Sequence, residues 1–239
     1  MLKNWFRKRK TALPVQESIQ IVNTMIEERF VQDGWKYIKS NRKIRKIVGD
    51  LTFEINFSAS RYNQEGKMIL IEYLACVNCK KYKIPNKNIL VYSYEPLDPK
   101  LLAANRYYDI TYKENFNDVV EDICFQLSNS IVLLAKEFEE DFIAAGIRLS
   151  KEGLRYTYDS IYNNDSHNGY ISIPFIDDYI GHEYAIAMAK KYYHNYLTQE
   201  QKELLLIKKE VYKNDFLDDK AGNRNEIYVM RYFDEIFTE

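Results

Sequence analysis

Glycine and proline are scarce in this chain, 8 and 5 of 239 residues, which leaves little room for long flexible linkers. Cysteine is scarcer still. Three cysteines, an odd number in a chain of this length, do not make a disulfide framework. With no secretion signal at the start, the expected compartment is a reducing cytoplasm. No apolar run approaches the ~18–20 residues that span a bilayer, so no membrane is expected among the partners. Net charge is nearly absent as well: a formal −1 supplies no global field to attract nucleic acid or an anionic membrane. Motifs of familiar enzymes are missing too. There is no Gly-rich phosphate loop, no G-x-S-x-G elbow and no Cys-His pair in a recognisable context, so no catalytic set and no cofactor are expected.

What the chain does have is ordinary apolar content, 46% against 29% charged residues, which argues against wholesale disorder. At this length it can build one sizeable core or two small ones. The clearest pattern is at 51–77. Leu51, Phe53, Ile55 and Phe57 alternate with Thr52, Glu54, Asn56 and Ser58. That is the period of a strand with one face buried and the other, including Glu54 and Asn56, open to water. The turn Asn63-Gln64-Glu65-Gly66 follows, and from Met68 to Val77 the chain continues as an almost unbroken apolar run.

Around this pair the chain punctuates itself. Residues 15–33 carry Ile19, Val22, Ile26 and Phe30 on one helical stripe, and Gly34 supplies a left-handed stop. Short strands are expected at 35–39, 43–48 and 89–94, and a short edge strand at 106–113. The tight connections in this meander force antiparallel neighbours. Over 117–145, Val120, Ile123, Leu127, Ile131, Leu134, Phe138 and Phe142 recur at three and four residues. This is one long helix, or two broken near Ser128-Asn129-Ser130, ending at Gly146. Residues 163–169 form a polar loop by composition. Helix is expected again from Pro174 to about Tyr196. Thr198-Gln199-Glu200-Gln201 has the spacing of a capping box and starts another helix, and a last one is expected over 225–237. The fold class is therefore α+β: an antiparallel meander of about five to six strands packed against a long helix, with a C-terminal helical subdomain. The expected organisation is a basic segment at 1–14, an α+β domain at 15–146 and helices at 147–239.

Candidate chemistry is sparse. Cys76-Val77-Asn78-Cys79 has C-x₂-C spacing, but a structural zinc needs four ligands and only Cys124 and three histidines remain. Buried cysteine acting as a small hydrophobe is the simpler account. Asp177, Asp178 and His182 form the densest group of potential metal ligands or proton carriers. On one helix Asp178 and His182 would share a face, while both aspartates would equally serve as charges at a helix N-terminus. Ile186 stands where an H-E-x-x-H motif needs its second His. Asp50, Glu54 and Glu72 offer a nuclease-type metal set, but Leu74 occupies the position that calls for Lys.

The strongest local charge feature is Lys36, Lys39, Arg42, Lys43, Arg45 and Lys46, interleaved with Trp35 and Tyr37. It reads as a surface for an acidic protein partner or nucleic acid, or as a solvated hairpin whose cations protect an edge. The 21 tyrosines suit an interface, although AT-rich coding would also yield them. The opening ten residues, with Trp5 and Phe6 among cations, are a frayed terminus or a weak membrane-touching segment.

Gly34-Trp35-Lys36-Tyr37 and the run Phe53-Glu54-Ile55-Asn56-Phe57-Ser58-Ala59-Ser60-Arg61-Tyr62-Asn63 resemble the bacterial domain of unknown function numbered 4304. So do Tyr108-Asp109-Ile110-Thr111 and Asn117-Asp118-Val119-Val120. The resemblance covers about residues 15–145. Ser58 departs from the Gln expected in many members, and the C-terminal helices are extra. The resemblance implies no catalysis and transfers no active-site residue. The functional expectation is a non-enzymatic protein-binding protein, an immunity or defence-associated factor that sequesters a partner. A metal-dependent hydrolase or nuclease built on Asp177, Asp178 and His182, and a nucleic-acid-binding module, are the alternatives.

Overall fold

In the computed structural model, residues 11–82, 90–94, 107–152, 173–212, 232, 234 and 235 are described. The basic first ten residues, the polar loop at 163–169 and most of the helix expected over 225–237 lie outside them. The first helix, α1 (Val15–Phe30), buries Ile19, Val22, Ile26 and Phe30 as its stripe predicts. A short 3₁₀ turn then ends at Gly34, whose φ of 80° is left-handed. Only glycine adopts that region without a Cβ penalty.

Six strands follow: β1 (Lys36–Ile38), β2 (Lys43–Val48), β3 (Leu51–Ala59), β4 (Leu70–Cys79), β5 (Leu90–Tyr94) and β6 (Tyr108–Asp109). The first five are hydrogen-bonded in sequence order, and β6 pairs the start of β4. The fold is α+β, with an antiparallel meander and a helical C-terminal part. Register is set by apolar matching. Ile44 lies opposite Ile55, and Val48 opposite Leu51. Leu51, Phe53 and Ile55 are fully buried, each worth about 1.5–3 kcal/mol relative to exposure. The β3–β4 hairpin is closed by Asn63. Its amide donates to the Leu70 carbonyl at 2.9 Å and accepts from the Leu70 N–H at 2.8 Å, so one side chain replaces a backbone ladder pair.

The helices are α2 (Phe116–Ser128), α3 (Ile131–Glu140), α4 (Phe142–Glu152), α5 (Ile173–Tyr179), α6 (His182–Tyr196) and α7 (Gln199–Tyr212). The helical stretch expected over 117–145, as one helix or as two broken near Ser128-Asn129-Ser130, is interrupted there and again at Asp141. At the first break, Ser130 Oγ and Asn129 Nδ2 donate to the Gln126 and Phe125 carbonyls at 2.6 and 2.7 Å, competing with the ladder. At the second, Asp141 Oδ1 accepts the Ala144 N–H at 3.0 Å, which is an N-cap. Gly146 does not end the helix. It lies inside α4, where an added Cβ would fall 2.0 Å from Ile180 Cδ1, so this glycine serves close approach. The capping box at 198–201 forms reciprocally: Gln201 N–H reaches Thr198 Oγ1 at 3.2 Å, and Thr198 N–H reaches Gln201 Oε1 at 2.9 Å.

Two compact units divide the chain. One is Met1–Val77 with Tyr94–Ala135, and the other is Asn78–Ser93 with Lys136–Glu239. Residues 136–146, grouped by sequence with the sheet, thus belong to the second unit. In the first unit, Tyr73 on β4 donates to Gln126 of α2 at 2.8 Å and stacks on Tyr108 at 6.2 Å. In the second, Phe138, Phe142, Phe175 and Tyr179 form an aromatic cluster with ring centroids 5.0–6.3 Å apart. Tyr73, Tyr108, Tyr192 and Tyr232 are all buried, so these four tyrosines serve the interior rather than a surface.

Candidate functional site

The cationic hairpin is sorted by the sheet into residues that are available and residues that are not. Lys36 lies opposite Arg45, and Arg45 opposite Glu54. Side chains alternate along a strand, so Lys36, Lys43, Arg45 and Glu54 share one face of the sheet. Lys46 lies opposite Phe53 on the other face, where it is only 9% exposed. Its aliphatic stem passes near Gly34. Trp35 is 1% exposed and packs its ring 6.5 Å from that of Phe30. Both Trp35 and Lys46 were expected at a partner surface, and both are corrected to interior positions. The reason is parity. Lys46 shares the phase of Ile44 and Val48, and Trp35 follows the left-handed turn that folds the chain back beside α1.

Glu54 also departs from expectation. It is buried, not open to water, and accepts from Lys43 Nζ at 2.6 Å. Lys43 is therefore half-buried and committed to an internal pair. Asn56 is half-buried, 3.5 Å from Cys76 Sγ. Exposed or half-exposed cations remain at Lys36, Lys39, Arg42 and Arg45. Arg42 has a left-handed φ of 49° and donates to Gln16 Oε1 at 2.7 Å. Strand addition at this edge is obstructed, since β1 has three residues and Tyr37 N–H already donates to Glu27 Oε1 at 3.2 Å. Such a short, capped edge resists pairing with another chain. The sheet face and the β1–β2 turn are what the hairpin presents.

Of the three candidates for metal or proton chemistry, Asp178 is parted from His182 by the break between α5 and α6. Gly181 has φ 151° and ψ 146°, a conformation essentially confined to glycine, so Asp178 and His182 do not sit four apart on one helix. Asp177 and Asp178 also lie in the last turn of α5, not at a helix start as expected. Asp178 pairs with Lys81 Nζ at 2.9 Å. His182 instead meets Asp177 Oδ1 through Nδ1 at 2.7 Å and Glu235 Oε2 through Nε2 at 2.8 Å. Tyr232 OH donates to the other oxygen of Asp177, and its ring is edge-on to the imidazole at 5.1 Å. These hydrogen bonds to Asp177 and Glu235 raise the His182 pKa above 6.5. Tyr232 and Glu235 escaped sequence reasoning because nothing local connects positions more than fifty residues apart.

The remaining candidates do not assemble. Cys76 and Cys79 are three apart in β4, so alternation sends them to opposite faces. All three cysteines are buried, and burial pushes the Cys124 thiol up to about 11, which suits a small hydrophobe. Burial and the nearby Asp122 likewise raise the Tyr108 phenol. Asp50 sits in the β2–β3 turn and Glu72 accepts from Ser58 Oγ at 3.0 Å. Among the described residues no group of three His, Cys, Asp or Glu side chains is placed to hold a metal ion. No helix among them is long and apolar enough to cross a membrane. No family model, curated protein or solved structure matches the chain.

Proposed function

We propose that this chain is a non-enzymatic, cytoplasmic protein-binding protein that engages an acidic partner through the cationic face of β1 and β2. Sequestration of that partner, as an immunity or defence-associated factor would achieve it, is the biological reading. One observation carries the binding reading: the register sets Lys36 directly opposite Arg45. Like charges facing across a strand pair are unfavourable, and Glu54, the carboxylate opposite Arg45 in the register, is already held by Lys43. An anionic surface laid over this face would relieve that repulsion. Lys39 and Arg42 extend the same positive potential around the turn.

The test is charge reversal at Lys36→Glu, Lys39→Glu and Arg45→Glu, leaving Lys43, Lys46 and Trp35 intact because the fold uses them. Wild type serves to isolate a partner, and stopped-flow association is then compared across ionic strengths. The reversed variant should associate about tenfold or more slowly and lose most of its salt dependence. Equal rates would assign the hairpin to a solvated edge. Capture of nucleic acid with a steep salt slope would assign the face to that ligand instead.

A further inference from the structure

The contacts of His182 require a particular protonation state. A neutral imidazole has one N–H donor and one lone pair, whereas the imidazolium has two donors. Here both ring nitrogens stand within 2.8 Å of carboxylate oxygens, Asp177 on one side and Glu235 on the other. In a neutral ring, one of those contacts would set a nitrogen lone pair against a carboxylate. The geometry is that of a doubly donating cation. Its position is also specific: Asp177 closes α5, His182 opens α6, and Tyr232 and Glu235 reach this corner from far along the chain. Of the other charged groups nearby, Asp178 is turned to Lys81, and Glu183 and Asp234 are exposed neighbours in sequence.

We infer that His182 is a proton-operated clasp that fastens Tyr232 and Glu235 to the α5–α6 corner when charged and releases Glu235 when neutral. The tie through Tyr232 to Asp177 weakens with it, because the same carboxylate then loses the imidazolium that orients it. The sign follows from linkage. A group whose pKa is raised in the closed state stabilises that state fully below its free value, near 6.5, and the effect is lost as pH rises through the raised value. Within that window the closing constant falls by up to about tenfold per pH unit, and it is flat on either side. The clasp is therefore closed in mildly acidic solution and loosens towards the alkaline side of neutrality.

The experiment uses the full chain. Proton NMR follows the His182 ring through a pH titration, and hydrogen exchange gives protection factors for the Tyr232 and Glu235 amides over the same range. His182 should titrate above 6.5, and protection at both amides should fall as it deprotonates. In Glu235→Gln the midpoint should move down, and in His182→Gln protection should be low and independent of pH. Amides of β2 and β3 should be unchanged in every variant, which separates release from unfolding. A His182 midpoint at or below 6.5, or the same pH course of protection in wild type and His182→Gln, would overturn the clasp.

Discussion

The β2–β3 pair and the α5–α6 corner hold together by opposite means. In β2–β3, Ile44, Leu51, Phe53 and Ile55 are fully buried and matched across a continuous register. The cohesion there is chiefly apolar area, which does not titrate, with the Lys43–Glu54 ion pair added on the opposite face. The α5–α6 corner has a fully buried anchor in Phe175 and a steric one where Ile180 meets Gly146. Its outer side, however, is tied by Asp177, His182, Tyr232 and Glu235, groups whose hydrogen bonds depend on protonation. A hydrophobic register tolerates a change of pH and resists a change of shape. A carboxylate–imidazole tie does the reverse, so regulation is expected at the corner and permanence in the sheet.

The largest effect should come from cutting the sheet's apolar core. Phe53→Ala removes a side chain with no exposed surface and should cost about 3–5 kcal/mol, read as a lower denaturant midpoint. The loss should be the same at pH 6 and pH 8. A loss confined to one pH would break the contrast, because it would mean that the strand pair rests on ionisable groups.

Gly146→Ala sharpens the contrast from the other side. Alanine favours helix over glycine by about 1 kcal/mol, but the new methyl would overlap Ile180, and overpacking typically costs about 1–3 kcal/mol. Net destabilisation of the second unit is expected, and Gly146→Ala/Ile180→Val should recover part of it. A more stable single variant would show that the α4–α5 approach has slack. The smallest effect concerns a purely local device. Thr198→Ala removes one arm of the capping box on α7 and should cost about 1 kcal/mol, measured as faster exchange in the first turn of that helix. Strand amides should be unaffected.

Much of the architecture was legible because it is local. The alternation at 51–58, the stripe of α1, the stop at Gly34 and the capping box at 198–201 each follow from side chains that interact within a few residues. Asp141 was legible in principle as well, since Asp three residues before an N–H is an N-cap signal, but the strong apolar period on either side masked it. Burial of Glu54 was not legible. Its phase in the strand places it opposite the core, and only the pairing of β2 with β3 brings Lys43 to neutralise it.

The amino-acid sequence by itself determined the strands, where the helical stretches begin and which face of β3 carries the apolar core, because periodicity and caps act over one or two turns. Tertiary structure alone decided which cations remain at the surface, since strand register sends Lys36 and Arg45 to one side of the sheet and Lys46 to the other. It also decided what His182 touches. A glycine with a backbone conformation closed to other residues breaks the helix between Asp178 and His182, and Glu235, 53 positions away, takes the place that helical spacing had offered to Asp178. Contacts at that separation arise from the path of the chain through space, which short-range pattern does not encode.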